Sequence, residues 1–211
     1  MDGKIKADGI IFDVDGTMWD ASETLAGAWT LTVRGFGLDE TITVEDIGEI
    51  LGMTAQEIAD HFSPRLGCLS DDIMHAALEQ EVGYLLEHGA YIYEGLGDVL
   101  KELSERGKRF FVVSNCGKGY IETFFEVSGL GHYFESWECE GSTGLPKAEN
   151  IKLVAERAGL KAPVYIGDTA GDERSSRSAG TAFIYASYGF GKAEAPDAVI
   201  ADIRELPSLI D

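Results

Sequence analysis

Short apolar runs alternate with amphipathic stretches over most of the chain. Residues 9–14, 109–114, 164–167 and 182–186 are rich in Ile, Val, Phe, Tyr and Ala and have the length of buried strands. Residues 96–106, closed by Gly107, and residues 120–127 and 148–158 place apolar residues three or four apart, which predicts helices, and residues 172–179, closed by Gly180, read as a further helix. Strand then helix, repeated, is the signature of a parallel sheet with crossover helices. Residues 20–90 depart from it and read as helix after helix. There Thr54 with Glu57 forms a capping box, Ser70 precedes Asp71 and Asp72 as an N-cap, and Met74, Leu78, Val82 and Leu85 recur at helical spacing. The pattern predicts a Rossmann-like α/β core, residues 1–17 and 93–211, with a helical cap, residues 18–92, inserted after the first strand. The junctions near Thr17 and Glu94 are expected to be short hinges.

The chain has 211 residues, 45% of them hydrophobic, enough for one large domain or a domain with an insert around a real core. Lys and Arg total 17 against 37 Asp and Glu, a net charge of −20 that would repel nucleic acid or an anionic membrane surface. Residues 17–92 hold 14 of the acids and two of the bases, Arg34 and Arg65, so 12 of the 20 negative charges lie in the insert. Such a surface reads first as a solvated helical face. Residues 1–10 lack the apolar centre of a secretion signal, and no run is long enough to span a membrane. Cys68, Cys116 and Cys139 form neither a paired framework nor a zinc spacing, which fits a reducing cytoplasm.

In an open parallel sheet, ligands gather beyond the carboxyl ends of the strands. Three predicted strands end in polar residues: Asp13 and Asp15, then Ser114 and Asn115, then Asp168 and Asp172. On an extended strand end Asp13 and Asp15 point to one side, where two carboxylates about 4 Å apart repel by about 4 kcal/mol at an effective dielectric near ~20. A cation should relieve them. Oxygen-only ligation from Asp13, Asp15, Asp168 and Asp172 favours magnesium, which keeps positions for water and phosphate oxygens. Each acid taken singly is also explained as a turn residue or helix cap; four at one end of a sheet are harder to explain so. No P-loop occurs, and the pairs Gly35/Gly37, Gly95/Gly97 and Gly189/Gly191 lack the third glycine of a dinucleotide fingerprint.

In chain order, Asp13-Val14-Asp15-Gly16-Thr17, Ser114-Asn115, Lys147 and Gly167-Asp168-Thr169-Ala170-Gly171-Asp172 resemble the four motifs of the haloacid dehalogenase superfamily. Asp20, Ala179-Gly180 and Tyr188-Gly189-Phe190-Gly191 are similar to the branch that contains phosphoglycolate phosphatase and β-phosphoglucomutase, in which a helical cap interrupts the core. The resemblance implies that Asp13 attacks phosphorus to form an aspartyl-phosphate and that Asp15 serves as general acid and then base. It implies that Ser114 and the backbone at Asn115 hold a phosphoryl oxygen and that Lys147 balances charge. Asp13, the Asp15 carbonyl and Asp168 would hold magnesium, with Asp172 as ligand or support. An acid at position 15 sets the chain apart from the dehalogenase and phosphonatase branches. Three departures stand out: Lys147 follows Gly144-Leu145-Pro146 instead of sitting between Gly and Pro, Ser175 and Ser176 replace small apolar residues, and Met18-Trp19 follows the first motif.

Thr17, Asn115, Arg34 and Arg65 are the candidate substrate-binding residues, the two arginines as the only positive charges of the insert. Lys118 reads as a surface cation and Trp19 as a core or hinge residue. His61, His75, His88 and His132 show no ligand spacing, and Cys116 reads as a structural thiol. The expected protein is a cytoplasmic, magnesium-dependent phosphatase acting on a small phosphorylated metabolite. Phosphoglycolate, pyrophosphate, sugar phosphates and nucleotides all remain open as substrates. A phosphosugar mutase on the same core, or a receiver-type signalling domain with an acceptor aspartate, are the alternatives.

Overall fold

The chain is described by a computed structural model that covers residues 4–66 and 71–211. The expected N-cap at Ser70, and Cys68, lie outside the described residues. Six strands form one parallel sheet: β1 (Gly9–Phe12), β4 (Phe110–Ser114), β5 (Phe134–Cys139), β6 (Pro163–Gly167), β7 (Ala182–Ala186) and β8 (Ala198–Ile200), in the spatial order β5-β4-β1-β6-β7-β8. Strands β2 (Trp19–Asp20) and β3 (Tyr91–Ile92) make a separate antiparallel ribbon. Helices α1 (Ser22–Gly35), α2 (Val44–Ile50), α3 (Ala55–Leu66) and α4 (Asp71–His88) lie between the two strands of that ribbon in sequence. Helices α5 (Leu96–Glu105), α6 (Tyr120–Ser128), α7 (Glu140–Thr143), α8 (Lys147–Ala158), α9 (Ala170–Ala179) and α10 (Leu206–Leu209) belong with the sheet.

The alternation of side chains along each strand divides the apolar residues between two faces. Ile10 and Phe12 of β1 join Phe110, Val112 and Phe134 in the larger core, which also takes in the helices of the insert. Ile11 joins Phe111, Val113, Tyr165 and Phe183 on the other face, under Ile151 and Val154 of α8. With both faces covered, the inner strands read as continuous apolar runs, which is why the sequence pattern finds them. Strands β5 and β8 escape it for the converse reason. They are the edges of the sheet, and β5 is Phe-Glu-Ser-Trp-Glu-Cys, half exposed and paired only with β4.

The capping box at Thr54 is present: the Thr54 amide donates to Glu57 Oε2 at 2.8 Å and the Glu57 amide to Thr54 Oγ1 at 3.3 Å. The expected hinges prove to be one paired element. Trp19 pairs with Ile92 and Asp20 with Tyr91, and the Tyr93 amide donates to the Met18 carbonyl at 3.2 Å. The chain thus leaves the sheet and returns to it through two adjacent segments.

Candidate active site

After β1 the chain turns to β4 on one side, whereas β6 and β7 build outward on the other, so the crevice beyond β1 and β6 is the switch point of the sheet. Asp13 follows β1 and Asp168 follows β6 at this crevice, and both are almost wholly buried. Asp13, Asp168 and Asp172 each bring a carboxylate oxygen within 4.8 Å of the others.

Lys147 holds the group together electrostatically. It opens α8, is itself buried, and places Nζ 2.6 Å from Asp172 Oδ1 and 3.2 Å from Asp13 Oδ2. Burial alone would lower the pKa of this ammonium, but the two carboxylates outweigh burial and hold it above its ordinary value. Burial pushes the Asp13 carboxyl up to about 6, with Lys147 pulling the other way and Asp172 adding to the rise. Asp168 is pushed well above the ordinary carboxylate range, first by burial and then by its acidic neighbours.

Asp172 has no oxygen to spare. Its Oδ2 accepts from the Thr169 amide and hydroxyl and from the Asp168 amide, closing the capping box of α9, while Oδ1 takes Lys147. It supports the site through these bonds, and a metal bound through Oδ1 would have to share that oxygen with Lys147. Asp168 Oδ2 accepts from the amides of Phe190 at 2.7 Å and Gly191 at 3.3 Å. That loop needs its glycine: a Cβ on Gly189 would stand 2.4 Å from the Asp168 Cβ and 2.5 Å from the Gly16 carbonyl oxygen. What remains is Oδ1 of Asp13 and Oδ1 of Asp168, both buried and both without a hydrogen-bond partner. Two such oxygens beside each other suit a hard cation.

Asp15 does not join them, contrary to the expectation that its carboxylate shares a side with that of Asp13. The strand ends at Phe12, and the turn that follows passes through Gly16 at φ +71°. A Cβ there would lie 2.3 Å from Asp168 Oδ2. The Asp15 carboxylate faces Trp19 and Tyr120 instead, accepting from Trp19 Nε1 at 2.9 Å and the Tyr120 hydroxyl at 2.8 Å, both on Oδ1. Among the described residues none donates to Oδ2. Burial raises this carboxyl to about 7, partly offset by the Tyr120 hydrogen bond, so it holds a proton near neutrality.

Ser114 ends β4, is buried, and acts on the Asp13 carboxyl to lower its pKa. The neighbouring Asn115 sends Nδ2 to the Gly52 carbonyl at 2.8 Å, tying the site to the loop after α2. Thr17 is fully buried with its hydroxyl unpartnered, and it lines neither cavity beside the site. The two arginines of the insert are not brought to the site. Arg34 binds the Glu40 carbonyl and Thr41 hydroxyl, and Arg65 pairs with Asp46 at 2.6 Å and with Glu40. They were candidates because they were the insert's only cations; acceptors within the insert take up both, carboxylates for Arg65 and a carbonyl and a hydroxyl for Arg34.

Trp19, read as a core or hinge residue, is buried and paired in the ribbon and also donates to Asp15, and two residues that the sequence patterns leave out stand beside it at the site: Tyr120, the second donor to Asp15, and Glu81. Glu81 occupies the core-facing stripe of α4, four residues before Leu85 continues it, and is 7% exposed. An acid at an apolar helical position was the available signal. Indole and phenol donors 4 and 105 residues from Asp15 left none in the sequence.

Residues 10–186 match the family described as haloacid dehalogenase-like hydrolase. The phosphoglycolate phosphatase of Pseudomonas fluorescens is 25% identical over 96% of this chain and 79% of its own length, and that of Aliivibrio fischeri is 24% identical over 95% of both. Among solved structures, CbbY of Rhodobacter sphaeroides in complex with phosphate superposes with a TM-score of 0.81 at 21% identity, over 96% of this chain and 99% of that one. A predicted phosphoglycolate phosphatase of Haemophilus somnus gives 0.80 at 20% identity, over 95% and 96%. These likenesses establish the shared fold.

Proposed function

The chain belongs to the haloacid dehalogenase-like hydrolase family, and from that premise we propose that it hydrolyses a small phosphomonoester, with magnesium, through a phosphoryl group carried on Asp13. It is a phosphatase, as the relatives it matches are named. The observation that carries the finer reading is the pair of buried, unpartnered oxygens on Asp13 and Asp168 beside Lys147. Asp13, Asp168 and the carbonyl of Asp15 would hold magnesium, which when bound neutralises charge on the phosphoryl oxygens.

Asp13 attacks phosphorus, forming an Oδ–P bond as the bond to the substrate alcohol breaks. Asp15, still protonated near pH 7, gives its proton to the departing oxygen. The ionised Asp15 then takes a proton from the water that attacks the phosphoryl group, and Asp13 is regenerated. Ser114 donates to a phosphoryl oxygen, and Lys147 holds Asp13 in its charged, aimed form. Residues 18–92 act as the cap that closes over the site and excludes bulk water. Membership in this family separates the chain from receiver-type domains. Free Cys116 and Cys139 fit a reducing compartment, and no described helix is long and apolar enough to cross a membrane.

A phosphate-release screen over small phosphorylated metabolites tests the reading. Release is expected from the wild type only with magnesium, and not from Asp13→Asn, which should keep the wild-type melting curve. Activity retained by the variant rejects the mechanism. A phosphosugar that is isomerised without release of phosphate identifies a mutase instead.

A further inference from the structure

A cavity of about 240 Å³ opens from the site toward the insert. Asp15, Ser114 and Asn115 line one end, and α1, α2, α3 and α4 wall the other with Leu25, Trp29, Ile47, Ile50, Ile58 and Leu78. Its size suits a small metabolite, below the roughly 300–1,000 Å³ of sites for larger ligands. With the phosphoryl group at Asp13 and the leaving oxygen at Asp15, the substrate's alcohol portion extends into this space. That placement rests on the phosphatase reading above.

The charges of the lining are one-sided. Asp15, Glu81 and Glu140 are its ionisable side chains of acidic type, and among the described residues no Lys, Arg or His lines it. Lys147 and Arg174 line a neighbouring groove, which shares Leu51, Gly52, Met53 and Asn115 with the cavity, and there Asn115 is hydrogen-bonded to the Gly52 carbonyl. A second anion on the substrate would therefore enter an apolar, acidic cavity with no cation to meet it, a costly desolvation. Glu81 is a buried acid that lines the cavity beside the apolar walls of the insert. Its Oε1 is fixed by Trp29 Nε1 at 2.7 Å, and no described residue donates to Oε2.

We propose that Glu81 reads the alcohol end of the substrate, and that this end is a compact, largely apolar group bearing a hydrogen-bond donor, hydroxyl or ammonium, and no second anion. The assignment runs against phosphoglycolate, whose carboxylate would be desolvated in a lining whose described residues offer it no cation. Burial keeps the Glu81 carboxyl neutral until about pH 8, so a hydroxyl, which both donates and accepts, can pair with it in that form, whereas an ammonium would draw the proton off.

Four phosphates matched in length, carrying terminal methyl, hydroxyl, ammonium or carboxylate groups, test this as two-carbon and four-carbon series. Phosphate release is measured on the wild type and Glu81→Gln with magnesium, and binding by calorimetry on Asp13→Asn with magnesium. The wild type should show kcat/KM for the hydroxyl or ammonium member at least tenfold above the carboxylate member. Glu81→Gln should cut the donor-to-methyl ratio by a similar factor. Preference for ammonium that strengthens from pH 7 to pH 9 selects the amine; a flat preference for hydroxyl selects the alcohol. A carboxylate member bound or hydrolysed as well as the donor members overturns the proposal, as do ratios unchanged in Glu81→Gln. The wild-type series decides even where the variant folds poorly. Absence of release from every member would count against the phosphatase reading, while the binding order still decides this one.

Discussion

Glu81 makes a prediction about stability that needs no substrate. Its carboxyl is 7% exposed, and burial, reinforced by the charge of Asp15, lifts it from an ordinary 4.5 to about 8 against the pull of the Trp29 hydrogen bond. In the unfolded chain it releases its proton near 4.5; in the folded protein it keeps it to about 8. Between those values unfolding releases a proton, so stability falls as pH rises. The contribution is whole below pH 4.5 and gone above about 8. A rise of roughly 3.5, at about 1.4 kcal/mol for each pH unit, amounts to ~5 kcal/mol. Gln in place of Glu81 keeps the volume and the acceptor for Trp29 Nε1 but has no proton to lose. The assay is urea unfolding of both proteins, without metal, at intervals from pH 4.5 to 9. The difference in unfolding free energy should shift steadily in favour of Glu81→Gln across that range, by several kcal/mol in all, and then level off. Parallel profiles would refute the argument, because every other titrating group is common to the two proteins.

Asp15→Asn removes the proton donor but keeps an acceptor for Trp19 and Tyr120, so kcat should fall roughly 100- to 10,000-fold on alkyl phosphates and far less on an aryl phosphate whose leaving group needs no proton; equal losses would remove the general-acid role. Lys147→Met leaves Asp13 and Asp172 buried without their cation, and unfolding at pH 8 should show a loss of about 3–5 kcal/mol, smaller at pH 5 where Asp13 takes a proton. Unchanged stability at pH 8 would show that the lysine compensates nothing.

The parts of this molecule legible in its sequence are those fixed by local pattern. The inner strands announce themselves because both of their faces are buried, and the acids at their ends because Asp-x-Asp-Gly-Thr and Gly-Asp-x-x-x-Asp are short and contiguous. Edge strand β5 carries two glutamates on six residues and hides from the same test. Direction is harder to read than position. Asp13 and Asp15 were placed correctly at the end of β1, yet their carboxylates diverge because the strand stops one residue before Asp13 and Gly16 turns the chain. Asp172 has the spacing of a ligand, but the same spacing makes it the third residue of a capping box, so the cap takes its Oδ2 and leaves Oδ1 to Lys147. Arg34 and Arg65 show the limit of reasoning from scarcity, since a rare cation in an acidic segment has many local partners to claim it.

Trp19 belongs to two structures at once. Through its backbone it is half of the ribbon by which the helical insert is attached, and through its indole it grips Asp15. The ring is locked edge-on against Tyr120 and Phe124, with centroids 5.6 and 5.2 Å away, so it has no free rotation with which to absorb movement at the ribbon. A swing of the insert that shifts residue 19 must either carry the acid's side chain along or break the 2.9 Å bond. The joint and the Asp15 carboxylate thus share one residue, and on the general-acid reading proposed above the position of the insert would bear on how that acid is held.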